Sequence, residues 1–181
     1  MNKRVAVFCG ASKGHNPVFQ GYAHQLGEKL VENQLDLVYG GGAIGLMGVI
    51  ADAVIKNKGH VIGVITRKLK NLEVGHEGLT QLHVVQTMHE RKALMAQLAD
   101  GFIALPGGIG TLEEIIEVYT WLQLEDHQKP CAFLNVAGYY DLFFNFLDQM
   151  TVAGFLDLKT RNRLIIESDI DQLLVRMGIN D

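Results

Sequence analysis

Short runs of almost unbroken apolar residues alternate along the chain with longer stretches in which apolar positions recur every three or four residues. The short runs are 5–9 (VAVFC), 36–40 (DLVYG), 60–65 (HVIGVI), 81–86 (QLHVVQ), 101–105 (GFIAL), 130–135 (PCAFLN) and 163–168 (RLIIES). Runs this short, without the polar alternation of a half-exposed strand, predict strands covered on both faces. The longer stretches predict helices over about 17–33, from the glycine loop after residue 40 to about 58, and over about 88–99, 111–124, 140–153 and 170–177. Residues 66–80 lack a clear period and are expected to form a loop or irregular segment. Strands alternating with helices imply βαβ units and a parallel sheet. The predicted fold is therefore α/β, a Rossmann-like, doubly wound, mainly parallel sheet with helices on both faces. Residues 1–181 are expected to form one domain that binds its ligand at the carboxyl ends of the strands.

Composition narrows the partners. At 181 residues the chain buries roughly 70% of its unfolded surface, so a core needs no disulfide or metal staple. The net charge of −4 argues against nucleic acid, which calls for a basic excess. Cys9 and Cys131 both sit in apolar runs and read as small core residues, in keeping with a reducing compartment. The amino-terminal apolar run is too short for a secretion signal, and no stretch is long enough for a membrane span. A soluble cytoplasmic protein without membrane contact is expected.

Two glycine loops carry the candidate chemistry. In YGGGAIGLMG, Gly40, Gly42 and Gly45 fit G-x-G-x-x-G after a strand and before a helix. A dinucleotide site of that kind also wants an acid at the end of the next strand, and VIGVITRKLK has none. NAD is disfavoured, and Arg67 or Lys68 leaves only a weak case for NADP. Tight turning and packing explain these glycines as well as ligand contact does. The second loop, LPGGIGTLEE (105–114), places Gly107, Gly108 and Gly110 before a helix, with Ile109, Thr111 and Leu112 between and after them. Glycines before a helix amino terminus make a phosphate site. No Lys-Ser/Thr pair follows, so a monophosphate suits this loop better than a magnesium-bound triphosphate. Thr111 and Glu114 also fit a capping box, with Thr111 as N-cap. Taken alone, the loop leaves Glu114 divided between helix cap and catalyst.

Arg91 shifts that balance. In TMHERKALMAQLAD it falls on the stripe Met88, Met95, Leu98, so it should face the sheet rather than water. It also lies near the amino end of its helix, where a cation opposes the dipole. Neither placement aids stability, so an anionic ligand or a buried carboxylate is the expected partner; a purely structural ion pair is the competing explanation. Both helices start at strand ends, which brings Arg91, the second glycine loop and Glu114 to one cleft. Lys92 would add a second positive charge, and Glu113 is expected to remain a surface acid.

MHERKALM followed by ALPGGIGTLEE resembles the LONELY GUY (LOG) family of cytokinin riboside 5′-monophosphate phosphoribohydrolases, many of them mislabelled lysine decarboxylases. The likeness runs from about residue 4 to 177 and includes VFCGAS, LVYGGGAIGLMG and GYYDLFFNFLD. It implies hydrolysis of the N-glycosidic bond of an adenine-type nucleoside monophosphate to free base and ribose 5-phosphate. It implies Arg91 and Glu114 as the catalytic pair. Substrate contacts are implied at Glu73, Lys92, Gly107 and the segment Gly108–Glu114, and at Thr120, with Glu73 and Thr120 lying outside any contiguous motif. A homodimer with the active site near its interface is implied, and neither cofactor nor metal. A pyridoxal-dependent decarboxylase is disfavoured because no lysine has a recognisable cofactor context. The rival from another class is a non-catalytic nucleotide or cofactor carrier of the molybdenum-cofactor type, which has a similar glycine loop. Met88, Met95 and Trp121 are candidates for an apolar base pocket and serve equally well as core.

Overall fold

The structure, a computed structural model, describes residues 2–73 and 75–179, with the side chains of residues 71–73 left out. Among the described residues, seven strands form one sheet: β1 (Arg4–Phe8), β2 (Asp36–Tyr39), β3 (Val61–Thr66), β4 (Gln81–Val85), β5 (Gly101–Ala104), β6 (Cys131–Leu134) and β7 (Leu164–Glu167). Their order is β4-β3-β2-β1-β5-β6-β7, and every pair of neighbours is parallel. The helices are α1 (Val18–Glu32), α2 (Gly45–Lys56), α3 (Arg67–Glu73), α4 (Met88–Leu98), α5 (Ile109–Gln123), α6 (Asp141–Val152), α7 (Leu158–Arg163) and α8 (Ile170–Met177).

The unbroken apolar runs have the expected cause. Val5 and Val7 of β1 face one core while Ala6 and Phe8 face the other. The first core seals the sheet against α1, α2 and α8 through Leu26, Leu30, Ile50, Val54 and Leu173. The second seals it against α4, α5 and α6 through Met95, Ile115, Val118, Phe144 and Leu147. Burial on both faces leaves little room for polar side chains in the inner strands, whereas the edge strand β4 is partly exposed and carries Gln81 and His83. The two cysteines are free and buried, and desolvation pushes both thiols far up from their ordinary range.

The chain steps outward from β1 to β4, then returns through α4 to start β5 on the other side of β1. The loops after β1 and β5 therefore diverge, and open α/β sheets place their ligand crevice between such loops. The return runs α4 back over one face of the sheet, with Met95 and Ala99 in the second core, and so sets its first turn near the carboxyl end of β3, where Arg91 reaches Val64 O.

Two short helices depart from expectation. Residues 67–73, read as irregular, form α3, started by Thr66 Oγ1 accepting from Leu69 N at 3.2 Å. Residues 158–163 form α7, capped by Asp157 Oδ1 accepting from Thr160 N at 2.8 Å. Neither helix has two turns of apolar period to announce it. Among the described residues, no helix is long and apolar enough to cross a membrane.

Candidate active site

The site is built on the two loops at the point where strand order reverses. The loop after β1 is tied to the loop after β5 by Gly10 N donating to Pro106 O at 3.1 Å. The first glycine loop packs against this floor rather than opening to a ligand. A Cβ on Gly45 would run into the Gly10–Ala11 backbone, and one on Gly48 into the Ala43 carbonyl. Leu46 N, near the start of α2, donates to Gly10 O at 2.9 Å. That helix terminus is thus occupied by protein, and the G-x-G-x-x-G pattern reflects packing.

The second glycine loop is open. Helix α5 begins at Ile109, and its N-cap Gly108 has no side-chain cap. Thr111 therefore lies inside the first turn, and the capping box expected at Thr111–Glu114 is not formed. Gly-Gly makes the earlier start sterically easy, and a related cap is found on α4 instead, with Glu90 reaching one residue beyond the N-cap Thr87. There Thr87 Oγ1 accepts from Glu90 N at 3.1 Å, while Glu90 Oε2 accepts from Gln86 N at 2.9 Å. The glycines of the second loop divide by purpose. A Cβ on Gly107 would collide with Thr111 and crowd Gly10 N, so this glycine is needed for packing. A Cβ on Gly108 or Gly110 would meet nothing within 4 Å, and Gly108 has an ordinary extended φ of −92°. Among the described residues, no protein atom fills the space at those two positions. Bare backbone at the positive end of a helix suits an anion.

Next to this cradle lies a cleft of about 270 Å³, whose lining includes Cys9, Met47, Leu69, Met88, Arg91 and Glu114. A second hollow of about 400 Å³ adjoins it across Ala11 and Gly108, walled by Phe19, Leu46 and Tyr139. Arg91 faces inward as its stripe predicts and is only 7% exposed. Its Nε donates to the Val64 carbonyl of β3 at 3.0 Å, and its Nη1 donates to Glu114 Oε1 at 2.6 Å. Gly40 accounts for the free passage of the guanidinium, because a Cβ there would collide with it. The Arg91–Glu114 pair is nearly dry. Burial raises the Glu114 carboxyl above its ordinary range, and the opposing pull of Arg91 does not cancel that.

The remaining predicted residues divide. Gly107, Gly108, Gly110, Thr111, Glu113 and Glu114 form or border the cradle, whereas the Leu112 side chain packs on the second core and that of Ile109 is exposed. Lys92 is buried, but its ammonium ion-pairs with Glu113 and, at 3.0 Å, with Glu117, so its charge is spent along α5. Burial pulls this ammonium down, but the two carboxylates outweigh that and raise it, keeping it protonated. Glu113 is half-exposed and engaged by Lys92, not a free surface acid. Thr120 is exposed, donates to its own helix at Ile116 O at 2.8 Å, and does not border the cleft of this chain. Glu73 ends α3, and its side chain lies outside the described residues. Of the apolar candidates, Met88 borders the cleft, Met95 is core, and Trp121 packs on the second core. Leu69 and Met47 belong to the lining without having been predicted; Leu69 was hidden in the segment read as irregular. Among the described residues, no cluster of three or more His, Cys, Asp or Glu side chains is placed to hold a metal.

Comparisons with known proteins find relatives over most of the chain. A family model described as "Possible lysine decarboxylase" matches residues 47–177. The chain is 49% identical over 174 residues to cytokinin riboside 5′-monophosphate phosphoribohydrolase LOG7 of Arabidopsis thaliana, covering 96% of this chain and 80% of that protein. It is 47% identical over 175 residues to the LOG phosphoribohydrolase of Oryza sativa subsp. japonica, covering 97% and 72%. It is 46% identical over 170 residues to the cytokinin riboside 5′-monophosphate phosphoribohydrolase of Rhodococcoides fascians, covering 93% and 86%. Among solved structures, the molybdenum cofactor binding protein of Rippkaea orientalis superimposes with a TM-score of 0.72 at 22% identity, covering 98% and 96% of the two chains. The molybdenum cofactor carrier of Chlamydomonas reinhardtii gives 0.70 at 18%, covering 99% and 98%. These last two share the fold.

Proposed function

The chain belongs to the LONELY GUY (LOG) family, and from that membership we propose that it hydrolyses the N-glycosidic bond of cytokinin riboside 5′-monophosphates or AMP, releasing an adenine-type base and ribose 5-phosphate. The observation that carries this reading onto particular residues is the buried Arg91–Glu114 pair beside an open helix terminus.

The chemistry follows from what each group can do. The α5 amino terminus offers backbone N–H groups and a positive dipole end to the 5′-phosphate. Binding that remote, unreactive group fixes the ribose and converts water attack into an oriented step. Cleavage of the C1′–N bond places positive charge on the ribose ring, as in glycoside hydrolysis. As a carboxylate, Glu114 stabilises that charge and accepts a proton from the attacking water. The base leaves with the bonding electron pair and takes up a proton. A carboxylate with a raised pKa is a better base than an ordinary one, and low local polarity strengthens its pull on a developing cation. Arg91 aims the carboxylate, being itself fixed by Val64 O. Met88, Leu69 and Met47 give the cleft an apolar wall suited to an adenine or its substituent.

Thr120 lies about 9 Å along the helix axis from Glu114, at 1.5 Å per residue. If it touches substrate, it does so from a second copy, which agrees with a homodimer whose active sites border the interface. We place this chemistry in a soluble cytoplasmic enzyme, and a hydrolysis by water with a carboxylate base calls for no cofactor.

Incubation of the protein with AMP, GMP, CMP and isopentenyladenosine monophosphate, with ribose 5-phosphate measured, tests the reading. Release from the adenine-type nucleotides above the other two supports it. Nucleotide binding without any product would mark a carrier instead.

A further inference from the structure

The segment from Asn135 to Asp141, which joins β6 to α6, supplies nothing to the chemistry above, yet it grips the glycine loop at two carbonyls. Tyr140 Oη donates to Leu105 O and Tyr139 Oη donates to Gly107 O, each at 2.7 Å. Tyr140 is buried, and a buried hydroxyl needs a partner. Tyr139 is 47% exposed, so water would satisfy its hydroxyl equally well. Its bond to the loop is not forced by burial.

The chain nevertheless holds that tyrosine in place with a strained turn. Ala137 has φ +51° and Gly138 φ +71°. A left-handed conformation is unfavourable for alanine by about 1 kcal/mol. Asn135 locks the turn, accepting from Tyr140 N at 2.9 Å and donating to Asp141 Oδ1 at 2.7 Å. The Tyr139 ring is seated edge-on against Phe19 and Tyr140, with centroids 5.5 and 4.8 Å away.

The contacted carbonyl sits at a soft point. The Gly107–Gly108 peptide has glycine on both sides, so no Cβ opposes its rotation. In a trans peptide the C=O and the following N–H point in opposite directions. Holding the Gly107 carbonyl on Tyr139 therefore turns the Gly108 N–H the other way. With the peptide reversed, an oxygen would stand where an anion needs a donor.

We propose that Tyr139 is a positioning residue for the anion cradle: its hydroxyl holds the Gly107–Gly108 peptide so that N–H, not C=O, is presented to the 5′-phosphate. This rests on the phosphate-loop reading above. The role is distinct from packing because it belongs to one oxygen atom.

Tyr139→Phe removes that atom and keeps the ring. Binding of ribose 5-phosphate, inorganic phosphate and adenine to the full chain is measured by calorimetry. The Kd of ribose 5-phosphate and of phosphate should rise about three- to tenfold, the scale of one lost hydrogen bond. Adenine binding should not change. In turnover the loss should appear in KM, with kcat kept. Phe19→Leu, which alters the ring contact and leaves the hydroxyl, should bind ribose 5-phosphate as the unaltered protein does. Unchanged phosphate binding in Tyr139→Phe would overturn the proposal. So would equal weakening of adenine and ribose 5-phosphate, or an effect of Phe19→Leu as large as that of Tyr139→Phe. Failure of the unaltered protein to release ribose 5-phosphate from any nucleotide would sink the hydrolase reading alone, since the phosphate-binding arms would still decide the role of Tyr139.

Discussion

Gly110→Ala separates stability from function at the cradle. Gly110 is the second residue of α5, and an added Cβ would meet no atom within 4 Å. Its φ lies outside the left-handed region, so alanine fits the backbone. Glycine inside a helix is less stable than alanine by roughly 0.5–1 kcal/mol, and the first turn takes the lower end of that range. For a chain of this length, about 0.5 kcal/mol shifts Tm upward by about 1–2 °C. The same methyl group would stand in the space assigned to the phosphate. Losing one charge-assisted bond from a backbone N–H removes about 1.5–3 kcal/mol, or roughly ten- to a hundredfold in kcat/KM. The expected variant is therefore slightly more stable and much less active. Gly107→Ala is the contrast. Its Cβ would collide with Thr111, so stability falls by about 1–3 kcal/mol along with activity. Denaturant melts and ribose 5-phosphate release, measured on both variants, read the two quantities separately. A Gly110→Ala variant that turned over AMP like the parent would refute the phosphate assignment.

Gly40→Ala should disable the enzyme from beneath, because its Cβ displaces the Arg91 guanidinium; kcat should fall more than KM rises, and steady-state kinetics give the split. The pH profile of kcat/KM should lose activity on the acid side at a higher pH than an ordinary carboxylate would give, since burial raises Glu114 above 4.5. Stability has the opposite sign: a carboxyl raised on folding favours the folded state while protonated, and that contribution is lost as pH rises through its folded pKa. Denaturant midpoints of Glu114→Gln, relative to the parent, should therefore rise between pH 4 and neutrality.

The sheet was legible because burial on both faces writes itself as unbroken apolar runs. Arg91 was legible because a cation on an apolar stripe near a helix amino end calls for an anionic partner, whether ligand or carboxylate. The structure supplies its partner, Glu114, and the Val64 carbonyl that no sequence spacing reveals. Helices α3 and α7 escaped notice because six or seven residues cannot display a period; their threonine and aspartate caps were the only local signs. The capping box at Thr111 was misplaced because a Thr-x-x-Glu spacing does not itself fix where a helix starts, and α5 starts two residues earlier. Once Gly108 ends the loop, α5 starts at Ile109 and Glu114 moves into the second turn, where it meets Arg91. Lys92 shows a different limit: its spacing placed it near the cleft, but its acidic partners Glu113 and Glu117 are set by how α4 packs on α5.

Glu114→Gln provides the most direct test of the central claim. It keeps an oxygen able to accept from Arg91 and removes only the negative charge and the basic site. Ribose 5-phosphate release from AMP and isopentenyladenosine monophosphate should fall by at least about a hundredfold, the lower end of what a positioned base contributes. Binding of ribose 5-phosphate and the folded state should be kept. Near-normal turnover by Glu114→Gln would contradict the account and leave Glu114 as no more than the structural partner of Arg91.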